Sequence, residues 1–204
     1  MTNQRLQQQI AFVVEIDRLK QVLRQTQLMD ASRRENSAEH SWHLAMMVLV
    51  LAEYAPPGVD VQRAIHQVLI HDLVEIDAGD TFCYDIAGHS DKADREQRAA
   101  DRIFGLLPTV ASDGQSESDG DRLRQLWDEF EAQATPTARF AAALDRIQPL
   151  LHNWQTSGGT WKQHGICRAQ VMQRMAPVET GAPDLWPFVL EVIEDCVMAG
   201  YLQP

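Results

Sequence analysis

Apolar residues recur at helical spacing along most of the chain, and this pattern predicts an all-α fold. Residues 5–26 carry one broad apolar stripe among Gln, Glu, Arg and Lys, which is typical of an amphipathic helix. Residues 28–36 lose that period and are predicted to form a polar loop. Further helices are predicted over residues 37–54, 60–76, 92–107, 123–131, 136–154, 166–175 and 184–200. We find no repeat, linker or convincing series of strands, so we expect one helical bundle.

Capping residues and helix breakers mark the expected ends of these helices. The expected starts are Asn36 or Ser37, Asp60, and Thr135 with Pro136 behind it. Pro149 is expected to kink the long helix that follows Thr135. Residues 82–91 are expected to be irregular, and residues 108–120, rich in Ser, Asp and Gly, to form a surface loop.

Composition and charge narrow the classes of partner. The chain has 204 residues, enough for one domain with a substantial core, and a net charge of -11. Such an acidic protein is a poor binder of nucleic acid polymers, although a small phosphorylated ligand remains compatible. Its three cysteines are odd in number and far apart, so they predict no disulfide framework. The first residues lack an apolar signal core and the longest apolar run, 44–52, is too short to span a bilayer, so we expect a cytoplasmic protein without a membrane partner.

Ionisable residues are out of place in the apolar run 68–76. It contains His71, Asp72 and Glu75, and burying such groups without partners is costly. On a helix, the spacing of these three residues directs them to one face. Adjacent His and Asp can hold one metal ion, and a carboxylate one turn later can act on a water bound to it. The alternative is a helix with a capped or salt-bridged His-Asp pair.

Other ionisable residues extend this group. His40 lies in the first turns of the second helix, and we favour it as the reactive histidine, with His43 in a supporting role. Asp145 lies within an Ala- and Leu-rich helix and needs a partner there, either a basic residue such as Arg146 or a metal ion. Asp80 follows the helix-breaking Gly79, so it belongs either to the mouth of the site or to a plain turn.

Taken in chain order, these residues form a pattern with a known counterpart. Two imidazoles and two carboxylates suit a borderline or hard divalent ion, and without a thiolate a structural zinc site is a poor fit. The order resembles that of the HD-domain metal-dependent phosphohydrolases. The matching segments are Ala38-Glu39-His40-Ser41, His71-Asp72-Leu73-Val74-Glu75, Gly79-Asp80 and Ala143-Leu144-Asp145. The segment Arg33-Arg34-Glu35-Asn36-Ser37 resembles the branch that contains the bacterial 5'-deoxyribonucleotidases.

The resemblance implies a single-domain HD-type bundle over residues 1–204, with the metal-site core at about 20–155 and C-terminal helices at 166–200. It implies one divalent metal ion, which can be Mn, Co, Fe, Ni, Mg or Zn. By the same resemblance the metal ligands are His40, His71, Asp72 and Asp145. Glu75 is implied as the catalytic acid or base, Asp80 as a contact to a sugar hydroxyl, and Arg33 as a phosphate contact with Arg34 as its alternative.

The activity implied is hydrolysis of a small phosphomonoester to an alcohol and orthophosphate by a homodimer. The expected substrate is a nucleoside 5'-monophosphate, with the deoxy form preferred. One departure from the family pattern bears on this substrate. The nucleotidases carry an Arg-Trp pair at the end of the first helix, whereas this chain reads Arg24-Gln25-Thr26-Gln27. Phosphomonoesterase is therefore the broader expectation.

Two alternatives remain open. Some HD proteins are oxygenases that hold two irons, but a second iron needs further histidines between Asp72 and Asp145, where this chain offers only His89. The other alternative is a non-catalytic module that senses a nucleotide. Such a module would bind its nucleotide without releasing phosphate.

Overall fold

A computed structural model of the protein describes residues 3–108 and 118–204. Most of these residues are helical, so the prediction of an all-α fold is confirmed. The α-helices are α1 (Gln4–Ile16), α2 (Ser37–Val50), α3 (Val61–Ile70), α4 (Glu75–Ala78), α5 (Lys92–Phe104), α6 (Asp119–Ala132), α7 (Pro136–Gln155), α8 (Gly159–His164), α9 (Arg168–Met175), α10 (Val178–Gly181) and α11 (Trp186–Met198). Two strands, β1 (Leu23–Gln27) and β2 (Arg34–Asn36), form the one sheet seen among the described residues.

The N-terminal region differs from the prediction of one helix over residues 5–26. Helix α1 ends at Ile16, and a 3₁₀ turn, Asp17–Gln21, leads into β1. Strand β1 pairs with β2 in antiparallel orientation, and the Arg34 guanidinium donates hydrogen bonds to backbone carbonyls of β1. The end of the predicted polar loop is therefore a strand. Its pairing joins segments that local periodicity treats separately, which is why the helical pattern did not reveal it.

Helix α2 begins as predicted. The Asn36 side chain accepts a hydrogen bond from the Glu39 N–H, and the Glu39 carboxylate accepts one from the Asn36 N–H. This reciprocal arrangement is a capping box, and it fixes the first turn of the helix that carries His40. The helix ends at Val50, and a 3₁₀ turn, Ala52–Tyr54, completes the predicted span.

The helix predicted over residues 60–76 is divided. Asp60 caps α3 as expected, but residues His71–Val74 form a 3₁₀ turn before the short helix α4. Indole Nε1 of Trp127, on α6, donates to the backbone carbonyl of His71 at 3.2 Å. That long-range bond lies at the point where the α-helical pattern stops. Gly79, with φ of 74°, ends the segment as predicted.

The later helices largely follow the sequence pattern. Of the predicted loop over residues 108–120, residues 109–117 lie outside the described residues, and Ser118 caps α6 earlier than expected. Thr135 caps α7, which runs through Pro149 to Gln155. The middle of α7 is almost fully buried against α3 and α10, and short alanine side chains allow these close approaches.

Two groups of buried apolar side chains hold the bundle together. The larger joins α2, α3, α7 and the C-terminal helices, and the smaller joins α5 and α6 to the turn after α3. The segment His71–Glu75 lies where these groups meet, so its ionisable residues are buried by packing from both sides. No helix within residues 3–108 and 118–204 combines the length and apolar content that a membrane crossing requires.

Candidate functional site

A cleft opens between β1, the 3₁₀ turn after α3, the segment that follows Gly79, and helices α7 and α9. It encloses a cavity of about 190 Å³. The lining residues that matter most are Arg24, His71, Asp72, Glu75, Asp80 and Asp145. Five of the residues that the sequence singled out therefore share one cleft, and His40 lies beneath it with no exposed surface.

The four residues predicted to hold a metal lie together, and we name them the front cluster: His40, His71, Asp72 and Asp145. His40 Nε2 lies 3.0 Å from Asp145 Oδ1 and 3.8 Å from Asp72 Oδ2. His71 Nε2 lies 3.0 Å from Asp72 Oδ1 and 3.7 Å from Asp145 Oδ1. One ligand atom from each of His40, His71 and Asp145 can be chosen so that all lie within 4.8 Å of one another, a spacing that one ion can bridge.

The environment of His71 tests whether this group fits a metal ion. Its Nδ1 lies 2.9 Å from the backbone carbonyl oxygen of Val68, which can only accept, so Nδ1 carries the hydrogen. When the ring is neutral, its Nε2 lone pair faces the carboxylates of Asp72 and Asp145. This nitrogen is buried and has no hydrogen-bond partner among the described residues. A divalent cation at Nε2 would satisfy the ring and both carboxylates together, so the residues fit the ion.

Charge in the front cluster leads to the same conclusion. Burial opposes ionisation, but hydrogen bonds and charge from His40 and His71 hold the pKa of Asp145 well below its usual range. Against the same burial, His71 and Arg24 lower the pKa of Asp72 to about 2. Although burial lowers the pKa of His71, the charge of Asp72 raises it well above its usual value. The carboxylates of Asp72 and Asp145 therefore favour a positive charge at His71 Nε2, which either a proton or a metal ion supplies.

Glu75 lies beside the front cluster at the start of α4. It is 6% exposed, and its Oε2 accepts a hydrogen bond from the Ser37 hydroxyl at 2.6 Å. Burial and the charge of Asp72 raise the pKa of this carboxyl well above its usual value. Without a nearby cation, this environment favours the protonated form of Glu75. Its ionisation therefore depends on the positive charge that the front cluster demands.

Arg24 is a cleft residue to which the sequence analysis gave no role. Its Nη1 lies 3.0 Å from Asp72 Oδ2 and 3.9 Å from Asp80 Oδ1, and its Nε lies 3.5 Å from Glu35 Oε2. Because it lies among carboxylates, its pKa is raised despite burial. The sequence held one indication that Arg24 belongs to the site: it matches the arginine of the Arg-Trp pair in the nucleotidases. The incorrect extension of the first helix obscured its position on β1.

Arg33 lies outside the cleft. Its guanidinium binds the Glu39 carboxylate through two contacts, at 2.5 and 2.9 Å, and its side chain is 53% exposed. Arg34, the alternative phosphate contact, also does not line the cleft, because its side chain is held along β1. The structure brings Arg24 to the cleft instead, and Asp80 lies at the cleft wall.

Further cations line the cleft and were not expected from the sequence. They are Lys92, Arg146 and Arg174. Arg174 Nη2, from α9, lies 3.7 Å from Asp145 Oδ2. Nothing in the local sequence around these residues indicates a shared cleft, because they come from three different helices. Together with Arg24 they provide positive charge around a site whose deepest part is acidic.

Comparison with known proteins places this geometry in a family. A family model described as "HD domain" matches residues 16–186, which is most of the chain. The chain belongs to the HD domain family. The match extends on both sides of the span 20–155 over which the sequence resembled that family. The exact bounds of the domain and of its metal-site core stay predictions.

Solved structures resemble this HD domain over nearly its whole length. The crystal structure titled "Predicted metal-dependent phosphohydrolase" from Magnetospirillum magnetotacticum MS-1 is 51% identical, with a TM-score of 0.90. The alignment covers 98% of this chain and 96% of that one. A conserved hypothetical protein from Pyrococcus furiosus, 19% identical with a TM-score of 0.60, covers 90% of this chain and 98% of its own and supports the fold alone.

Curated relatives are more distant. The human protein named "5'-deoxynucleotidase HDDC2" is 28% identical over 122 residues, which is 60% of this chain and 54% of that protein. The zebrafish (Danio rerio) protein of the same name is 29% identical over 117 residues, 57% of this chain and 53% of that protein. The chain thus spans about half the length of the curated relatives it matches.

Proposed function

We propose that this HD domain is a metal-dependent phosphohydrolase that cleaves a small phosphomonoester to an alcohol and orthophosphate. The observation that carries the proposal is the front cluster, in which His71 Nε2 faces two ionised carboxylates without a hydrogen bond. The donors that line the cleft around that cluster supply the rest of the site. The ion is one divalent metal, chosen from Mn, Co, Fe, Ni, Mg and Zn.

The substrate we propose is a nucleoside 5'-monophosphate, with the deoxy form preferred. The curated relatives named as 5'-deoxynucleotidases support this choice. Asp80 supports it structurally, because its carboxylate lies at the cleft wall beside Arg24, where it can accept a hydrogen bond from a sugar hydroxyl. We assign the phosphate contact to Arg24 rather than to Arg33, because only Arg24 lines the cleft.

The residues divide the work of the reaction. His40, His71, Asp72 and Asp145 would hold the ion, which when bound lowers the pKa of a water molecule and polarises a phosphoryl oxygen. Glu75 is held at Oε2 by the Ser37 hydroxyl, so Oε1 is left to orient the attacking water and accept its proton. Arg24 offsets negative charge on the phosphoryl group. The water oxygen bonds to phosphorus as the ester P–O bond breaks, and the leaving alkoxide takes up the proton that Glu75 accepted from the water.

Phosphate release from a panel of monophosphates tests the proposal. We expect turnover of deoxyribonucleoside 5'-monophosphates above ribonucleotides and simple phosphomonoesters, with each metal supplied in turn. The Asp80→Ala variant should lose the preference among sugars while it keeps activity on simple esters. Equal rates on every ester, unchanged in Asp80→Ala, would remove the nucleotide from the proposal and leave a general phosphomonoesterase.

The same assay separates the two alternatives. A nucleotide sensor would bind these monophosphates and release no phosphate with any metal. A di-iron oxygenase would contain two irons per chain by metal analysis. Between Asp72 and Asp145 the chain has one further histidine, His89, which lines the cleft. A single imidazole provides too few ligands for a second iron, so the phosphohydrolase remains the better proposal.

We further propose that the protein is a cytoplasmic homodimer. On α1 the apolar residues Leu6, Ile10, Val13 and Val14 are between 49% and 66% exposed. An exposed apolar stripe of this kind is typical of a contact surface, and a second copy of the chain would cover it. Light scattering after gel filtration should give twice the chain mass, and Ile10→Glu should give a folded monomer. A monomeric wild type would exclude the dimer.

A further inference from the structure

A second buried polar group lies behind His40. It consists of Glu35, His43, Gln148 and His152, and we name it the rear cluster. Glu35 is 1% exposed, and none of the four residues lines the cleft. Direct substrate contact is therefore ruled out for this group, and its buried charge needs another explanation.

Hydrogen bonds in the rear cluster have a fixed direction. The Gln27 backbone carbonyl lies 2.6 Å from His152 Nδ1, and because it can only accept, Nδ1 carries the hydrogen. His152 Nε2 then accepts from the Gln148 amide at 2.9 Å. The second amide hydrogen of Gln148 is donated to Glu35 Oε1 at 2.6 Å. The Gln27 carbonyl thus sets the direction of all three hydrogen bonds. Glu35 takes part in this series through Oε1 alone.

The rear cluster does not fit a metal ion, although its residue types suggest one. Ligand atoms of Glu35, His43 and His152 lie within 4.8 Å of one another. The amide nitrogen of Gln148 stands among them, at 2.6 Å from Glu35, 2.9 Å from His152 and 3.3 Å from His43. An amide in that position supplies hydrogen-bond donors to the surrounding acceptors and fills the space that an ion would need.

The second oxygen of Glu35 points toward the front cluster. Glu35 Oε2 lies 3.7 Å from His40 Nδ1, and both atoms are buried without a hydrogen-bond partner among the described residues. The opposite ring nitrogen, His40 Nε2, faces Asp145 and Asp72. The imidazole of His40 therefore stands between Glu35 Oε2, which also lies 3.5 Å from Arg24 Nε, and the predicted metal site.

We propose that Glu35 is the positioning residue of His40: its Oε2 accepts the Nδ1 hydrogen whenever Nε2 binds the metal ion. A neutral imidazole has one hydrogen, so a ring that offers Nε2 to a metal must carry it on Nδ1. In this buried position Glu35 Oε2, at 3.7 Å, is an acceptor that faces Nδ1 and has no hydrogen-bond partner among the described residues. A carboxylate partner fixes the ring tautomer and orientation and makes the ligand nitrogen more basic. The inference rests on the proposed metal site and extends it to a residue outside the cleft.

Metal affinity of the Glu35→Gln variant tests this role. Loss of such a partner typically weakens metal binding by about 10- to 100-fold. We expect that loss for Zn²⁺, Co²⁺ and Mn²⁺ in competition with a chelator, while the melting temperature of the metal-free variant stays near that of the wild type. In the Zn²⁺-loaded wild type, the ¹⁵N spectrum should show an exchange-protected Nδ1–H for His40, and the variant should change that signal.

Glu39→Gln is the matched control. It removes one carboxylate charge from the residue next to His40, but Glu39 faces Arg33 and the cap of α2 rather than the ring. Glutamine also suits the capping position. The control should bind each metal with wild-type affinity and should keep the Nδ1–H signal of His40.

Three outcomes would overturn the proposal. If Glu35→Gln binds metal as tightly as the wild type while the wild type hydrolyses phosphate esters, Glu35 has no positioning role and the proposed function stands. If the wild type holds two metal ions and the variant holds one, Glu35 is itself a ligand. If the wild type binds none of these metals, the metal site and the role of Glu35 fail together.

Discussion

The front and rear clusters are both buried polar groups that join α2 to α7, yet they differ in their supply of hydrogen-bond donors. In the rear cluster the Gln148 amide and the His152 ring supply donors to the acceptors that face them. In the front cluster, ring nitrogens and carboxylate oxygens face one another at 3.0 to 3.8 Å. The front cluster has more buried acceptors than donors, even with the bond from Arg24 to Asp72, and such an excess favours a cation. The rear cluster supplies most of its own donors and leaves Glu35 Oε2 and Gln148 Oε1 without a partner among the described residues.

The largest expected effect comes from removing a front-cluster residue. His71→Ala and Asp145→Ala should each lose the metal ion and all measurable turnover, because each removes a ligand shared by the cluster. In the wild type a chelator should lower the melting temperature, since ligands from α2, α7 and the turn after α3 tie the bundle together. Metal content by mass spectrometry and thermal unfolding measure both effects. Full metal content in Asp145→Ala would remove Asp145 from the site.

Glu75→Gln should lower turnover without loss of metal. Acid-base groups typically contribute about 10²- to 10⁴-fold in rate, and we expect a loss in that range. The change is nearly isosteric and keeps an oxygen that can accept the Ser37 hydroxyl hydrogen, so the fold should survive. Single-turnover phosphate release and metal analysis give the two readouts. A metal-free variant would show that Glu75 is a ligand, and a fully active one would shift the catalytic role to another carboxylate, with Asp80 next.

Arg24 and Arg33 allow a paired test of the substrate contact. Arg24→Gln should reduce kcat/KM by about 10²-fold, as expected for loss of a group that stabilises phosphoryl charge. Arg33→Gln should change it little, because Arg33 makes an exposed ion pair with Glu39. Steady-state kinetics on a preferred monophosphate measure both. The reverse ranking would restore the sequence-based assignment of Arg33 and refute the placement of phosphate at Arg24.

Local sequence signals predicted the parts of the fold that depend on local contacts. The caps Asn36 and Thr135 were identified because a capping side chain binds backbone groups only a few residues away. The strand Leu23–Gln27 was missed because its partner strand lies several residues further on. The 3₁₀ turn His71–Val74 was missed too, and it adjoins a hydrogen bond from Trp127, which is distant in sequence.

The candidate site divides in the same way. Residue type and order were enough to select His40, His71, Asp72 and Asp145, which the fold brings together. Roles that depend on where a side chain points were beyond the sequence, as the exposed position of Arg33 shows. Glu35 illustrates this most directly, because its neighbours in sequence suggest a charged loop and only the fold reveals its distance of 3.7 Å from His40.

The smallest expected effect, and the sharpest test of the comparison, concerns Gln148 in the rear cluster. Gln148→Leu removes both amide donors and leaves Glu35 Oε1 and His152 Nε2 buried without them. A buried polar group left unsatisfied costs about 1 to 3 kcal/mol, so the free energy of unfolding should fall by that order. The loss should be similar in the presence and absence of metal, since the donors that this substitution removes come from the protein and not from an ion. Gln67→Leu is the matched control, because Gln67 is equally buried but lies outside the rear cluster, so any cost of its replacement should also be independent of metal. Denaturant unfolding of both variants with metal and with chelator decides the matter. A loss in Gln148→Leu that appears only with metal would mean that the rear cluster, like the front one, is organised around an ion.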